Sequence, residues 1–259
     1  MSAPFNFGQL KFLKALTEAL FHGAPMVISA DQVVANITEL FAKVGGTKLD
    51  EIRLSLTATE LVLGPLFAAV DVETRAHRIR NRLQNSQIDL FQDMARLRGI
   101  VYACYYGHWQ PGVEAGDQQA NAANPVHQQI GFTLPKFRVR GPADMAITRV
   151  EGREIDPAHI LDADTLGDEY DVVVVGSGAG GGVAAHNVAA RGYKVLIVEA
   201  GPFYPSPRIT HHELDMVAQL YKHGALQTST NRDFIVFQGR CVGGSSTINN
   251  GICLRVNEA

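Results

Sequence analysis

Apolar side chains recur at helical spacing between residues 10 and 106 of the chain. The clearest case predicts a helix that starts after Ser29, with Gln32 completing a capping box, and ends at Gly45-Gly46. Its apolar face is formed by Val33, Ile37, Leu40, Phe41 and Val44. The same spacing predicts further helices over residues 10–21, 49–64, 75–85 and 87–106. The chain therefore begins with a mostly helical domain.

The pattern changes after residue 110. Prolines at positions 111, 125, 135, 142 and 157 exclude any long helix and indicate a connector. The continuous run Val172–Val175 then predicts a parallel strand covered on both faces. An Ala- and Val-rich helix over 179–190 follows, and a second apolar strand runs from Lys194 to Glu199. We predict an α/β chain with a helical domain over 1–165 and a strand–helix–strand unit within 166–259.

Three glycines at the end of the first strand and the start of its helix follow the order G-x-G-x-x-G. Gly176 permits a tight turn, Gly178 allows a close backbone approach to a pyrophosphate, and Gly181 lets the helix pack near the strand. The helix N-terminus offers free N–H groups and a positive dipole end to phosphates. Glu199 stands where an acid binds a ribose hydroxyl, which favours FAD or NAD over NADP. A glycine-rich turn without a ligand is the alternative.

A second glycine-rich segment runs from Gln238 to Gly251. Adjacent glycines and serines suit a phosphate or the polar edge of a flavin ring, although a purely structural turn would use the same residues. The segment resembles the first signature of the glucose–methanol–choline (GMC) oxidoreductases. The residues that carry the resemblance are Gly239, Arg240, Gly243, Gly244, Ser245, Ser246 and Asn249.

The resemblance implies FAD as the cofactor, a small-molecule alcohol as the substrate, and hydride transfer from its CH–OH group to the flavin. The helical domain before the glycine fingerprint is similar to the long-chain alcohol oxidase branch of that family. The family's catalytic histidine follows a substrate-binding domain far downstream, and no matching position exists before Ala259. We therefore assign no catalytic residue, and expect an incomplete Rossmann-like FAD-binding domain, a missing C-terminal half, and no activity of this chain alone.

The composition of the chain limits the classes of function that remain possible. The 46% hydrophobic and 19% charged residues are typical of a globular protein, and a net charge of −3 gives no reason to propose nucleic acid. No apolar run reaches the length of a transmembrane helix. Three cysteines without a pairing pattern favour an intracellular protein, cytoplasmic or peripherally bound to a membrane. The adjacent pair His211-His212 lacks metal-ligand spacing, so we predict no metal. An NAD-dependent dehydrogenase and a non-catalytic binding protein stay as alternatives.

Overall fold

The computed structural model describes residues 3–64, 66–84, 90–113, 122–134, 155–167, 169–205, 208–210, 212–229 and 234–248. The chain divides into two compact units, and each is described by itself. The first unit comprises Met1–Arg138 together with Thr210–Gln219, and the second comprises Val139–Ile209 together with Leu220–Ala259.

The described residues form helices along most of their length and one small sheet. The helices are α1 (Phe7–Leu20), α2 (Ala30–Val44), α3 (Gly46–Leu63), α4 (Val72–Gln84), α5 (Leu90–Tyr106), α6 (Pro125–Gln129), α7 (Ala179–Ala189) and α8 (Glu213–Leu220). The strands are β1 (Val172–Val175) and β2 (Val195–Val198). None of the helices in the described ranges combines the length and apolar character that a membrane-spanning segment needs.

Side-chain caps and glycines set the helix ends of the first unit. Ser29 Oγ accepts a hydrogen bond from the Gln32 amide at 3.1 Å, which confirms the predicted N-cap. The predicted capping box is wrong, because the Gln32 side chain turns to Asn36 Oδ1 at 3.3 Å instead of returning to the cap. A complete capping box begins α1, where Asn6 and Gln9 exchange both bonds. At Gly45, φ is 55°, and this left-handed residue ends α2 immediately before α3 begins.

The apolar faces predicted for the first unit form its core. Val33, Ile37 and Phe41 of α2 are fully buried. The helix predicted over 87–106 corresponds to α5, which buries Met94, Leu97 and Val101 at helical spacing. Edge-on contacts between rings add directional packing: the ring centroids of Phe5 and Phe41 lie 5.6 Å apart. Helical periodicity thus predicted which side chains exclude water here.

The second unit contains a parallel strand pair with a helix between the strands. β1 and β2 pair in register from Val172 opposite Val195 to Val175 opposite Val198. Val174 faces the first turn of α7, but Val173 and Val175 are 55% and 85% exposed. The expected burial of β1 on both faces is therefore wrong for the described residues. The described residues form a sheet of two strands, and α7 packs against this sheet. Because no second layer of described residues packs on it, Val173 and Val175 stay exposed.

Candidate functional site

A tight turn joins β1 to α7 in the second unit. Gly176 continues the strand pairing by donating its N–H to the Val198 carbonyl at 2.8 Å, and it then turns with φ at 91°. Gly178 is the N-cap of α7. A Cβ atom on Gly181 would overlap the carbonyl oxygen of Gly176. The helix can start this close to the strand only because residue 181 has no side chain.

The N-terminus of α7 presents backbone donors that no described residue accepts. The first helical bond runs from the Gly182 amide to the Gly178 carbonyl at 2.8 Å. Across the described ranges, the amides of residues 178–181 have no acceptor. A Cβ built on Gly178 would meet no atom within 4 Å, so the space before these amides is open. Open donors at a positive helix end fit a phosphate or pyrophosphate.

Glu199 follows β2 directly, and its carboxylate turns back to the glycine turn. Oε2 accepts hydrogen bonds from the Ser177 amide at 2.9 Å and the Ser177 hydroxyl at 2.7 Å. Oε1 accepts from the Gly201 amide at 3.1 Å. Burial by itself would raise the pKa of Glu199, but hydrogen bonds from Ser177 and from the amides of Gly201 and Ala200 hold it below its ordinary value. The carboxylate is thus ionised and fixed at the end of the strand.

The second glycine segment lies directly against the first. The Gly243 amide donates to Ser177 Oγ at 2.9 Å. A Cβ on Gly244 would lie 3.0 Å from the Gly178 Cα, closer than a side chain can approach without displacing backbone. The Gly239 amide donates to Ser245 Oγ at 3.1 Å, which folds the segment on itself. The structure therefore brings together the turn after β1, the end of β2 and this second loop.

Two backbone amides of the second loop hydrogen-bond within the loop itself. The Gly244 amide donates to the Cys241 carbonyl at 2.8 Å, and the Ser246 amide donates to the Gly243 carbonyl at 3.2 Å. A tight 3₁₀ turn over Gly244–Ser246, made possible by φ values of 91° at Gly243 and 55° at Gly244, consumes them. The backbone of the loop supplies shape, while its serine side chains stay at the surface.

Four further residues complete the comparison with the sequence. Arg240 is exposed and donates its backbone N–H to the Leu220 carbonyl at 2.7 Å. Asn249 lies outside the described residues. Ser177 was not predicted, although it contacts both the acid and the second loop. It occupies a variable position of the fingerprint, so no sequence signal could have identified it. Gly201 is also needed, because its Cβ would overlap the Arg240 carbonyl.

Comparison with known families agrees with this geometry. Residues 217–259 match the model of the GMC oxidoreductase family, and residues 171–206 match the model of an FAD binding domain. The predicted similarity to GMC oxidoreductases is confirmed, and so is FAD rather than NAD as the dinucleotide. The βαβ turn and the second loop lie in the two matched segments, one in each.

Individual relatives match between 24% and 39% of the chain. A long-chain-alcohol oxidase of Arabidopsis thaliana is 40% identical over 90 residues, which are 35% of this chain and 12% of that protein. An uncharacterised GMC-type oxidoreductase of Mycobacterium tuberculosis is 36% identical over 103 residues, 39% of this chain and 16% of that protein. Paromamine 6'-oxidase of Streptomyces fradiae is 46% identical over 63 residues, 24% of this chain and 12% of that protein. The chain thus corresponds to a small share of each relative's length. No solved structure matches it significantly.

Proposed function

We propose that the second unit binds FAD and forms the cofactor-binding part of an oxidoreductase that acts on the CH–OH group of an alcohol. One observation carries this proposal: unused amides at the start of α7 and the fixed carboxylate of Glu199 flank the same open turn. A diphosphate joined to a ribose needs such a pair of donors and acceptor. The family matches favour FAD as the molecule that contains both.

Each predicted residue has a role in a Rossmann-like arrangement of this kind. The pyrophosphate would lie against Gly178 and the free amides at the start of α7, with Gly176 and Gly181 keeping that approach open. Glu199 would accept a hydrogen bond from a hydroxyl of the adenosine ribose. The second loop would border the flavin portion with its exposed polar groups. Its residues are Gly239, Arg240, Gly243, Gly244, Ser245, Ser246 and Asn249.

The reaction divides its tasks between cofactor and protein. The chemistry that FAD supplies when bound is acceptance of a hydride from the alcohol carbon. Residues of this chain hold the diphosphate, orient the ribose and fix the two glycine loops beside each other. We assign the proton-accepting base to no residue of this chain. The similarity to a long-chain-alcohol oxidase favours a long-chain alcohol as the substrate class.

Cofactor titration tests the proposal directly. The purified chain should quench the fluorescence of FAD saturably and show no matching response to NAD. Gly178→Val should abolish the FAD signal, because its side chain would occupy the open space before the amides. Gly99→Ala is the matched control: it adds a methyl group in equally open space on α5. Saturable binding of NAD without FAD, or equal FAD binding by Gly178→Val, would contradict the proposal.

A further inference from the structure

The Ser177 side chain hydrogen-bonds to both the acid and the second loop. Its hydroxyl donates to Glu199 Oε2 at 2.7 Å and accepts from the Gly243 amide at 2.9 Å. Its own amide donates to the same carboxylate oxygen at 2.9 Å. One short side chain therefore connects segments that lie 66 residues apart in sequence.

The contacts of Glu199 leave a limited number of acceptor positions. An ionised carboxylate has about four lone-pair sites, two on each oxygen. Ser177 occupies both sites on Oε2 through its amide and hydroxyl. The Gly201 amide occupies one site on Oε1. By hydrogen-bond geometry the described residues place two donors on Oε2 and one on Oε1, so Oε1 is the less occupied oxygen.

We propose that Ser177 is a positioning residue for cofactor recognition: its hydroxyl locks Oε2 of Glu199 so that Oε1, the less occupied oxygen, presents itself to one ribose hydroxyl. This inference rests on the proposed function. It specifies that only Oε1 of Glu199 binds the ribose. A contact through both carboxylate oxygens would have to displace Ser177 from Oε2. The contact with Gly243 aligns the second loop with the same point, so both glycine segments depend on one hydroxyl group.

A positioning role differs measurably from simple loop bracing. Ser177→Ala removes both hydroxyl contacts but keeps the amide bond to Glu199. If the hydroxyl acts through Glu199, its loss should weaken FAD binding only while residue 199 carries a charge. If it only braces the loops, its loss should weaken cofactor binding by the same factor whatever residue 199 is. A double-mutant cycle separates these cases.

The cycle compares Ser177→Ala, Glu199→Gln and the double variant in FAD titrations of the full chain. We expect Ser177→Ala to weaken FAD binding roughly tenfold, as for the loss of a charge-assisted hydrogen bond. In the Glu199→Gln background, Ser177→Ala should weaken FAD binding by less than about threefold. Ser177→Thr retains a hydroxyl and should restore most of the affinity. Asn187→Ala, at an exposed position of α7, is the control and should bind as the unmodified chain does.

A second measurement needs no cofactor. Carbon-13 NMR of the Glu199 carboxyl group reports its titration in the free chain. Ser177→Ala should raise the pKa of Glu199 towards its ordinary value, because one donor to the charged form is lost. The acid-side decline of FAD affinity should move to higher pH in the same variant. Ser177→Thr should reverse both changes.

The outcomes separate the inference from the proposal on which it rests. Equal loss of affinity in both backgrounds of residue 199 would overturn the positioning role while leaving FAD binding intact. An unchanged Glu199 titration in Ser177→Ala would also overturn it. If the folded, unmodified chain does not bind FAD, the proposed function itself fails and the inference fails with it. A coupled loss together with the shifted titration supports both.

Discussion

The first unit, which is helical, and the second unit, which contains the two glycine loops, are stabilised in opposite ways. The first closes large side chains away from water: Phe41 and Val33 are 0% exposed. In the second, Val175 is 85% exposed, and the arrangement depends on backbone groups that touch directly. One unit is specified by the side chains that fill it. The other is specified by positions where a side chain would not fit.

This difference predicts opposite responses to substitution. A core of apolar side chains is damaged by removal of volume, because cavities form. A turn packed backbone against backbone is damaged by addition of a single carbon. At Gly181, Gly201 and Gly239 an added Cβ would overlap a backbone carbonyl group of the same unit. Truncation and extension therefore probe the two units separately.

Truncation of the helical core should have the largest effect. Phe41→Ala removes a fully buried ring that contacts Phe5, and should lower the free energy of unfolding by about 3–5 kcal/mol. The measurement is thermal or urea unfolding followed by helical circular dichroism. Val175→Ala is the matched truncation on exposed β1, and should change stability by no more than about 0.5 kcal/mol. Similar losses for both variants would remove the distinction between the units.

The second largest effect on stability should come from adding a side chain to a closely packed glycine. Gly181→Ala places a methyl group on the Gly176 carbonyl, and should cost about 3 kcal/mol or disrupt the turn. Hydrogen exchange at the amides of α7 would report the damage locally. Gly99→Ala makes the same chemical change where no atom lies within 4 Å on α5, and should instead stabilise that helix by about 0.5–1 kcal/mol. Destabilisation by both variants would mean that helix context, and not the backbone contact, decides the effect.

Gly178 separates stability from binding. Because an added Cβ meets no protein atom, Gly178→Val should leave the apo unfolding transition within about 1 kcal/mol of the original, the small loss reflecting a poorer N-cap. FAD affinity should fall at least about 100-fold, or ~2.7 kcal/mol. Calorimetric titration beside an unfolding curve gives both numbers. A variant that unfolds early, or one that retains FAD, would contradict the assignment of this opening to a pyrophosphate.

Loss of charge at Glu199 should have a smaller effect that depends on pH. Glu199→Gln should weaken FAD binding by about tenfold near pH 7, and Glu199→Ala by more. Because its folded-state pKa is depressed, the stability that the ionised group contributes is fully present above its unfolded value of about 4.3 and is lost as pH falls through the folded value. Unfolding curves between pH 3 and 7 should therefore converge with those of Glu199→Gln at the acid end. Curves that stay parallel would exclude this role of the carboxylate.

Sequence periodicity and spacing predicted the features that depend on local order. The faces of α2 and α5, the strand–helix–strand order and the place of Glu199 all follow from residue types at fixed intervals. Features that depend on distant partners were not predictable. The exposure of Val175 depends on which layers cover the sheet. The bond from Ser177 to Gly243 joins loops whose contact no spacing encodes.

The N-cap of α2 shows the same difference between local and distant signals. Substitutions there should change the free energy of unfolding least of all. Ser29 was predicted from its type and position, and its hydroxyl caps α2, so Ser29→Ala should cost about 1 kcal/mol. Gln32 was predicted to complete a capping box, but the buried Asn36 offers its side chain a competing partner. Gln32→Ala should therefore leave the cap intact and change unfolding free energy by less than about 0.5 kcal/mol. At α1, where Asn6 and Gln9 form both bonds, the equivalent Gln9→Ala should cost more. Urea unfolding of the three variants tests this order, and a loss at Gln32 as large as that at Gln9 would show that the predicted box forms in solution.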